Sequence, residues 1–127
     1  MHPYNPNILY ANYTDLYKRT YSSNNGSWSQ VSFFDDDFGL NCYDPLISIG
    51  IAPNNPQVIY VAIENMHYPN PSDFQLFKTT SGGYDNGCTE DCWSELFPPN
   101  LPCPYITSIA VSPYDENKIW ISYSGYV

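Results

Sequence analysis

One phrase occurs three times in this chain, and it limits what the chain can fold into more than any other feature. Pro3-Tyr-Asn-Pro-Asn-Ile-Leu-Tyr10 recurs 50 residues later as Pro53-Asn-Asn-Pro-Gln-Val-Ile-Tyr60. It recurs again, a further 60 residues on, as Pro113-Tyr-Asp-Glu-Asn-Lys-Ile-Trp120. Each copy places a Pro/Asn/Asp turn ahead of a short β-branched and aromatic run, the pattern of a tight turn feeding a strand. Self-similarity at this spacing points to stacked supersecondary units.

The repeat extends to the flanking residues. Leu46-Ile-Ser-Ile-Gly-Ile51 precedes the second turn and Ile106-Thr-Ser-Ile-Ala-Val111 precedes the third. Leu16-Tyr-Lys-Arg-Thr20 and Leu76-Phe-Lys-Thr-Thr80 follow the first and second, each leading through a Ser/Asn/Gly-rich turn to Trp28 or Trp93. One unit therefore reads as four strands, near 46–52, 57–63, 74–80 and 92–97. A lone four-stranded antiparallel sheet buries too little apolar surface and must stack on neighbours, which is the requirement of a β-propeller blade.

The expected architecture is all-β, with about two blades plus partial strands of an incomplete propeller. Residues 1–41 form a partial blade, 42–102 a full blade and 103–127 the first two strands of the next. A closed propeller takes about four to eight blades. The remaining blades are therefore expected from a longer parent chain or from further copies of this one.

Charge narrows the partners. Four Lys and Arg stand against 13 Asp and Glu, a net charge of −9, which disfavours nucleic acid and anionic membrane surfaces. No apolar run approaches the roughly 20 residues of a membrane span, so no membrane insertion is expected. The opening Met1-His-Pro-Tyr lacks the basic and apolar regions of a signal peptide, so export would rely on sequence outside these residues. Many Tyr, Asn and Ser with few Lys nevertheless suit an extracellular or cell-surface setting, as do acceptor sequons at Asn12 and Asn25.

Four cysteines allow three pairings. Cys88 with Cys92 and Cys42 with Cys103 is the favoured set, the first clipping a loop and the second tying adjacent units. Four reduced, buried thiols are the alternative. A zinc site is disfavoured, since no second close pair accompanies Cys88 and Cys92.

The segment Ser22-Ser-Asn-Asn-Gly-Ser-Trp28 resembles the Asp-box, or bacterial neuraminidase repeat, whose pattern is Ser-x-Asp-x-Gly-x-Thr-Trp. The copy beginning Lys78-Thr-Thr-Ser-Gly-Gly83 starts the same motif and inserts eight residues before Trp93. The first is one residue short with Asn24 at the Asp position, and the second has Ser81 there. The segment 106–126 is similar to the inter-blade stretch of sortilin- and xyloglucanase-like propellers. The resemblance implies a secreted bacterial-type propeller in which Asn24, Gly26, Trp28, Ser81, Gly82 and Trp93 are scaffold residues. Their polar side chains would satisfy turn donors and their indoles would pack between strands.

No catalytic constellation can be assembled. Sialidases of that fold clamp a substrate carboxylate with three arginines, and this chain has Arg19 alone. His2 and His67 sit in turns and loops without a nucleophile elbow. Asp35, Asp36 and Asp37, flanked by phenylalanines, could hold calcium, the one cofactor the residues admit. A solvated acidic turn is the simpler reading. Loop aromatics Tyr43, Tyr68, Tyr84 and Tyr126 are candidates for sugar or protein contact, whereas Tyr10, Tyr60 and Trp120 read as packing between units. The expected function is a non-catalytic module for adhesion, assembly or binding of carbohydrate or a surface protein. The alternative is a fragment of a xyloglucanase-like glycoside hydrolase whose paired carboxylates need blades elsewhere.

Overall fold

The structure, a computed structural model, describes residues 2, 5–21, 26–38, 45–64, 74–96 and 106–123; the side chains of residues 35, 37, 74, 75, 85 and 86 fall outside the description. The fold is all-β, with one helical turn and one 3-10 turn. β1 (Ile8–Asn12), β2 (Leu16–Thr20) and β3 (Trp28–Gln30) make a three-stranded antiparallel sheet. A four-stranded sheet follows, ordered β4 (Leu46–Ile51), β5 (Ile59–Glu64), β6 (Phe74–Thr79), β7 (Ser94–Leu96). β8 (Ile106–Val111) and β9 (Ile119–Tyr123) pair as the third sheet.

The repeated phrase forms the same turn each time. The amide of Ile8 donates to the Asn5 carbonyl at 3.0 Å, that of Val58 to Asn55 at 2.9 Å and that of Lys118 to Asp115 at 3.1 Å. In each turn the Asn5, Asn55 or Asp115 side-chain oxygen also accepts the amide two residues on, from Asn7, Gln57 and Asn117. A short Asx side chain that mimics a backbone acceptor explains why Asn and Asp recur there.

Register repeats as well. Tyr10 pairs with Lys18 and Tyr60 with Lys78. Gly50 opposes Tyr60 as Ala110 opposes Trp120. β4 and β8 each shift register between their first and third residues. The extra residue lets Ile106 and Ile109, three apart, join one cluster where strict alternation would place them on opposite faces.

The middle sheet is covered on both faces, which is why β5 reads as continuously apolar. Ile59, Val61, Ile63 and Phe77 turn toward the first sheet and meet Leu16, Val31 and Phe34. Tyr60, Ala62 and Leu76 turn the other way, toward Ile106, Ile109 and Ile121. Closeness at this second joint is set by Gly50: a Cβ there would lie 2.6 Å from Ile109 Cγ2.

The acidic run expected as a turn is instead the helical turn α1 (Phe34–Phe38). Its two phenylalanines pack on Phe77, with ring centroids 4.8 and 4.6 Å away, so the aromatic residues that bracket the acids dictate the helical turn.

Candidate functional site

Three inter-sheet contacts define what the stack presents outward. Between the second and third sheets, the Tyr60 hydroxyl donates to the Glu116 carbonyl at 2.8 Å, and Lys78 Nζ donates to Asn117 Oδ1 at 2.7 Å. The Ile109 amide donates to Ser48 Oγ at 3.0 Å. The third turn is thus seated on an aromatic and a lysine of the preceding sheet.

The repeat-equivalent pair in the first sheet, Tyr10 and Lys18, faces the second turn at Pro56 and Gln57. Here a cavity of about 210 Å³ opens, lined also by His2, Ile8 and Gly82. The His2 imidazole, whose Nδ1 accepts the Asn5 amide, titrates below its ordinary range. Burial is the main cause, with Lys18 and the N-terminus adding like charge.

The ends of the stack expose tryptophan at positions that are buried elsewhere in the repeat. Trp120 is aligned with Tyr60 yet is 53% exposed against 2% for Tyr60. Trp28 and Trp93 each precede the serine that pairs with Lys18 or Lys78, but Trp28 is 45% exposed and Trp93 is 4%. Trp93 packs on Phe34 and donates its Nε1–H to the Val31 carbonyl of the preceding unit at 2.9 Å. Trp28, expected to pack between strands, stands instead beside Arg19, whose guanidinium lies 5.8 Å from its ring and 4.5 Å from that of Tyr21. Lys118 Nζ lies 5.4 Å from the Trp120 ring.

The residues expected to be scaffold from the Asp-box resemblance divide. Gly26 accepts from Arg19 Nε, and a Cβ there would lie 2.7 Å from the Thr20 carbonyl. Gly82 adopts φ 77°, the left-handed region that favours glycine. The turn acceptor expected at Ser81 is Thr79: its buried Oγ1 accepts the amides of Ser81 and Gly83, while the Ser81 hydroxyl donates to the Gly83 carbonyl. The available signal was a Thr three residues before the first of the two glycines.

Of the loop tyrosines, Tyr84 is half-buried, edge-on to Phe33 at 5.0 Å, with its amide on the Val31 carbonyl; it holds the insertion against the first sheet. Tyr43, Tyr68 and Tyr126 lie outside the described residues, as do Cys42, Cys103, Asn24 and Asn25. Cys88 and Cys92 form a disulfide with Cα atoms 5.8 Å apart. The Asn12 side-chain amide donates to the Leu46 carbonyl, tying β1 to the start of β4. Asp36 is exposed, and among the described residues no group of three or more His, Cys, Asp and Glu is placed to hold a metal.

Sequence reasoning missed Asp15. It is 6% exposed, and its carboxylate accepts Ser32 Oγ–H and the Phe34 amide at 2.8 Å each and Gln30 Nε2–H at 3.0 Å. Saturated by these donors, it is a structural knot between β2 and the segment after β3, since a buried carboxylate persists only when its oxygens are satisfied.

Among the described residues no helix is long and apolar enough to cross a membrane. Comparison with protein-family models, curated proteins and solved structures finds no match for this chain.

Proposed function

We propose that the chain is part of a propeller-type stack of radial sheets acting as a non-catalytic extracellular module for adhesion, assembly or binding of carbohydrate or protein. The observation that carries this reading is the pair of exposed tryptophans, Trp28 and Trp120, at positions whose repeat counterparts are buried between sheets. Large aromatic surface with an apolar face and a polar edge is the chemistry of contact with a sugar ring or another protein. Asp15, the most buried carboxylate among the described residues, is consumed by structural hydrogen bonds, which leaves it unsuited to proton transfer. The Cys88–Cys92 disulfide is of a kind that persists in oxidising compartments, which supports export.

The test is a glycan array run beside a reducing-sugar assay. Retention of a glycan or surface protein without product release is the expected result. Release of sugar from a β-glucan, abolished by changing one exposed acidic residue such as Asp36, would replace this reading with the glycoside hydrolase one.

A further inference from the structure

We propose that the cavity between the first sheet and the turn at 55–57 is a binding site for one small carboxylate, with Lys18 as its countercharge and Tyr10 and Gln57 as its neutral partners. The proposal names a site and a ligand chemistry within the binding reading above.

The repeat supplies the comparison. At the joint between the second and third sheets, Tyr60 donates to the Glu116 carbonyl and Lys78 to the Asn117 side chain. Hydroxyl and ammonium there both bind oxygen atoms of the incoming turn. Tyr10 and Lys18 pair in the same register as Tyr60 and Lys78, and Pro56 and Gln57 align with Glu116 and Asn117. At the first joint these four residues line a cavity of about 210 Å³, with His2, Ile8 and Gly82 completing its wall. The chemistry that seats an oxygen-bearing turn at one joint is thus gathered around an open volume at the other.

The lining decides the charge of the occupant. Lys18 faces the cavity, and among the described residues no Asp or Glu does, in a chain of net charge −9 that carries four Lys and Arg in all. An ammonium without a lining carboxylate favours an anion, the more so beside apolar walls. Lys18 keeps that charge whatever other bonds its hydrogens make. His2 titrates below its ordinary range, so its ring is neutral at neutral pH and Lys18 is the one full charge of the lining. A single charge matches a carboxylate. A phosphate group would bring roughly one and a half to two negative charges into a strongly acidic molecule.

Size sets the rest. The volume lies below the roughly 300–1,000 Å³ of sites for drug-sized ligands, and the combination of apolar wall with a few placed polar groups is that of a ligand site. Ile8, Pro56 and Tyr10 supply the apolar part. The occupant is therefore an acid no larger than a monosaccharide, either free or as the end unit of an acidic glycan.

Titration of the full chain with D-glucuronate, followed through backbone amide resonances, tests the site, with D-glucose as the neutral control. Glucuronate is expected to shift the Gln57 and Gly82 amides, and glucose to bind about tenfold more weakly or worse. Lys18→Met keeps the aliphatic stem and should weaken glucuronate about tenfold or more. Lys78→Met removes the equivalent ammonium at the filled joint and should leave glucuronate binding unchanged. Tyr10→Phe removes one hydroxyl, should weaken binding about threefold or more, and carries the test if Lys18→Met fails to fold. Glucose binding as well as glucuronate, or glucuronate indifferent to these two cavity variants, would overturn the proposal, as would an equal loss in Lys78→Met.

A glucuronate-terminated oligosaccharide that shifts the same amides as strongly assigns the site to glycan ends, and one that does not assigns it to free acids. Glycan retention on an array with no glucuronate shift at Gln57 would sink the site and leave the binding module standing. Neither retention nor shift would sink both.

Discussion

The indole of Trp93 and the carbonyl of Val31, 62 residues apart, are joined by a hydrogen bond of 2.9 Å between consecutive units. The same carbonyl accepts the Tyr84 amide at 3.1 Å, so it stays satisfied when either donor is lost. Trp93→Phe should therefore cost about 2 kcal/mol, from lost packing and one hydrogen bond, without a stranded acceptor. Trp28→Phe, at a half-exposed position, should cost less than about 0.5 kcal/mol. Urea midpoints compare the two, and equal losses would show that Trp93 has no special seat.

Asp15 offers a test of the buried knot. Asp15→Ala strands the Ser32 hydroxyl, the Phe34 amide and the Gln30 side chain, and is expected to cost about 3 kcal/mol. Asp15→Asn keeps one oxygen for Ser32 and Phe34 while Gln30 can turn its own oxygen toward the new amide. Its expected cost is about 1 kcal/mol. Chemical denaturation orders the pair, and an alanine variant as stable as the asparagine one would refute the assignment.

Two glycines with the same backbone angle separate strain from crowding. Gly83 and Gly87 both sit at φ 79°, but a Cβ at Gly83 would lie 2.1 Å from the Val31 carbonyl, and one at Gly87 would meet nothing within 4 Å. Gly87→Ala should cost about 1 kcal/mol, the left-handed penalty alone. Gly83→Ala adds a backbone collision and should cost about 3 kcal/mol or more. Thermal midpoints of the two variants decide this, and a Gly83→Ala midpoint no lower than that of Gly87→Ala would count against the close approach.

Glu95 supplies a pH dependence. Partial burial raises its carboxyl above the ordinary glutamate range, so the folded chain holds that proton more tightly than the unfolded one. Its favourable contribution is complete below the ordinary range and is lost as pH rises through the raised one. Glu95→Gln should therefore be the more stable protein at neutral pH, by no more than about 0.5 kcal/mol at this half-exposed site. The advantage should shrink on acidification toward about pH 4. An advantage that grew on acidification would reverse the sign and exclude burial as the cause.

The turns and strand order were legible because their causes are local. Asn5, Asn55 and Asp115 cap their own turns, and alternating small and large residues in 46–51 and 106–111 mark strands with one close-packed face. What the sequence concealed depends on what lies opposite. Tyr60 and Trp120 are equivalent in phrase and register, and only the presence of a third sheet over one of them separates a buried ring from an exposed one. Asp15 looked like any loop acid, since its donors come from residues 30–34 in another element. The helical turn at 34–38 was hidden by its three acids, because Phe34 and Phe38 are fixed by Phe77, some 40 residues later.

Because the middle sheet is flanked on both sides, stability along these three sheets is shared between neighbours in the manner of a row of dominoes. Damage to the third sheet strips support from Tyr60 and Ala62 but leaves the Trp93–Val31 joint untouched, and damage to the first sheet does the reverse. The two joints can thus loosen separately, each leaving the middle sheet held by the other.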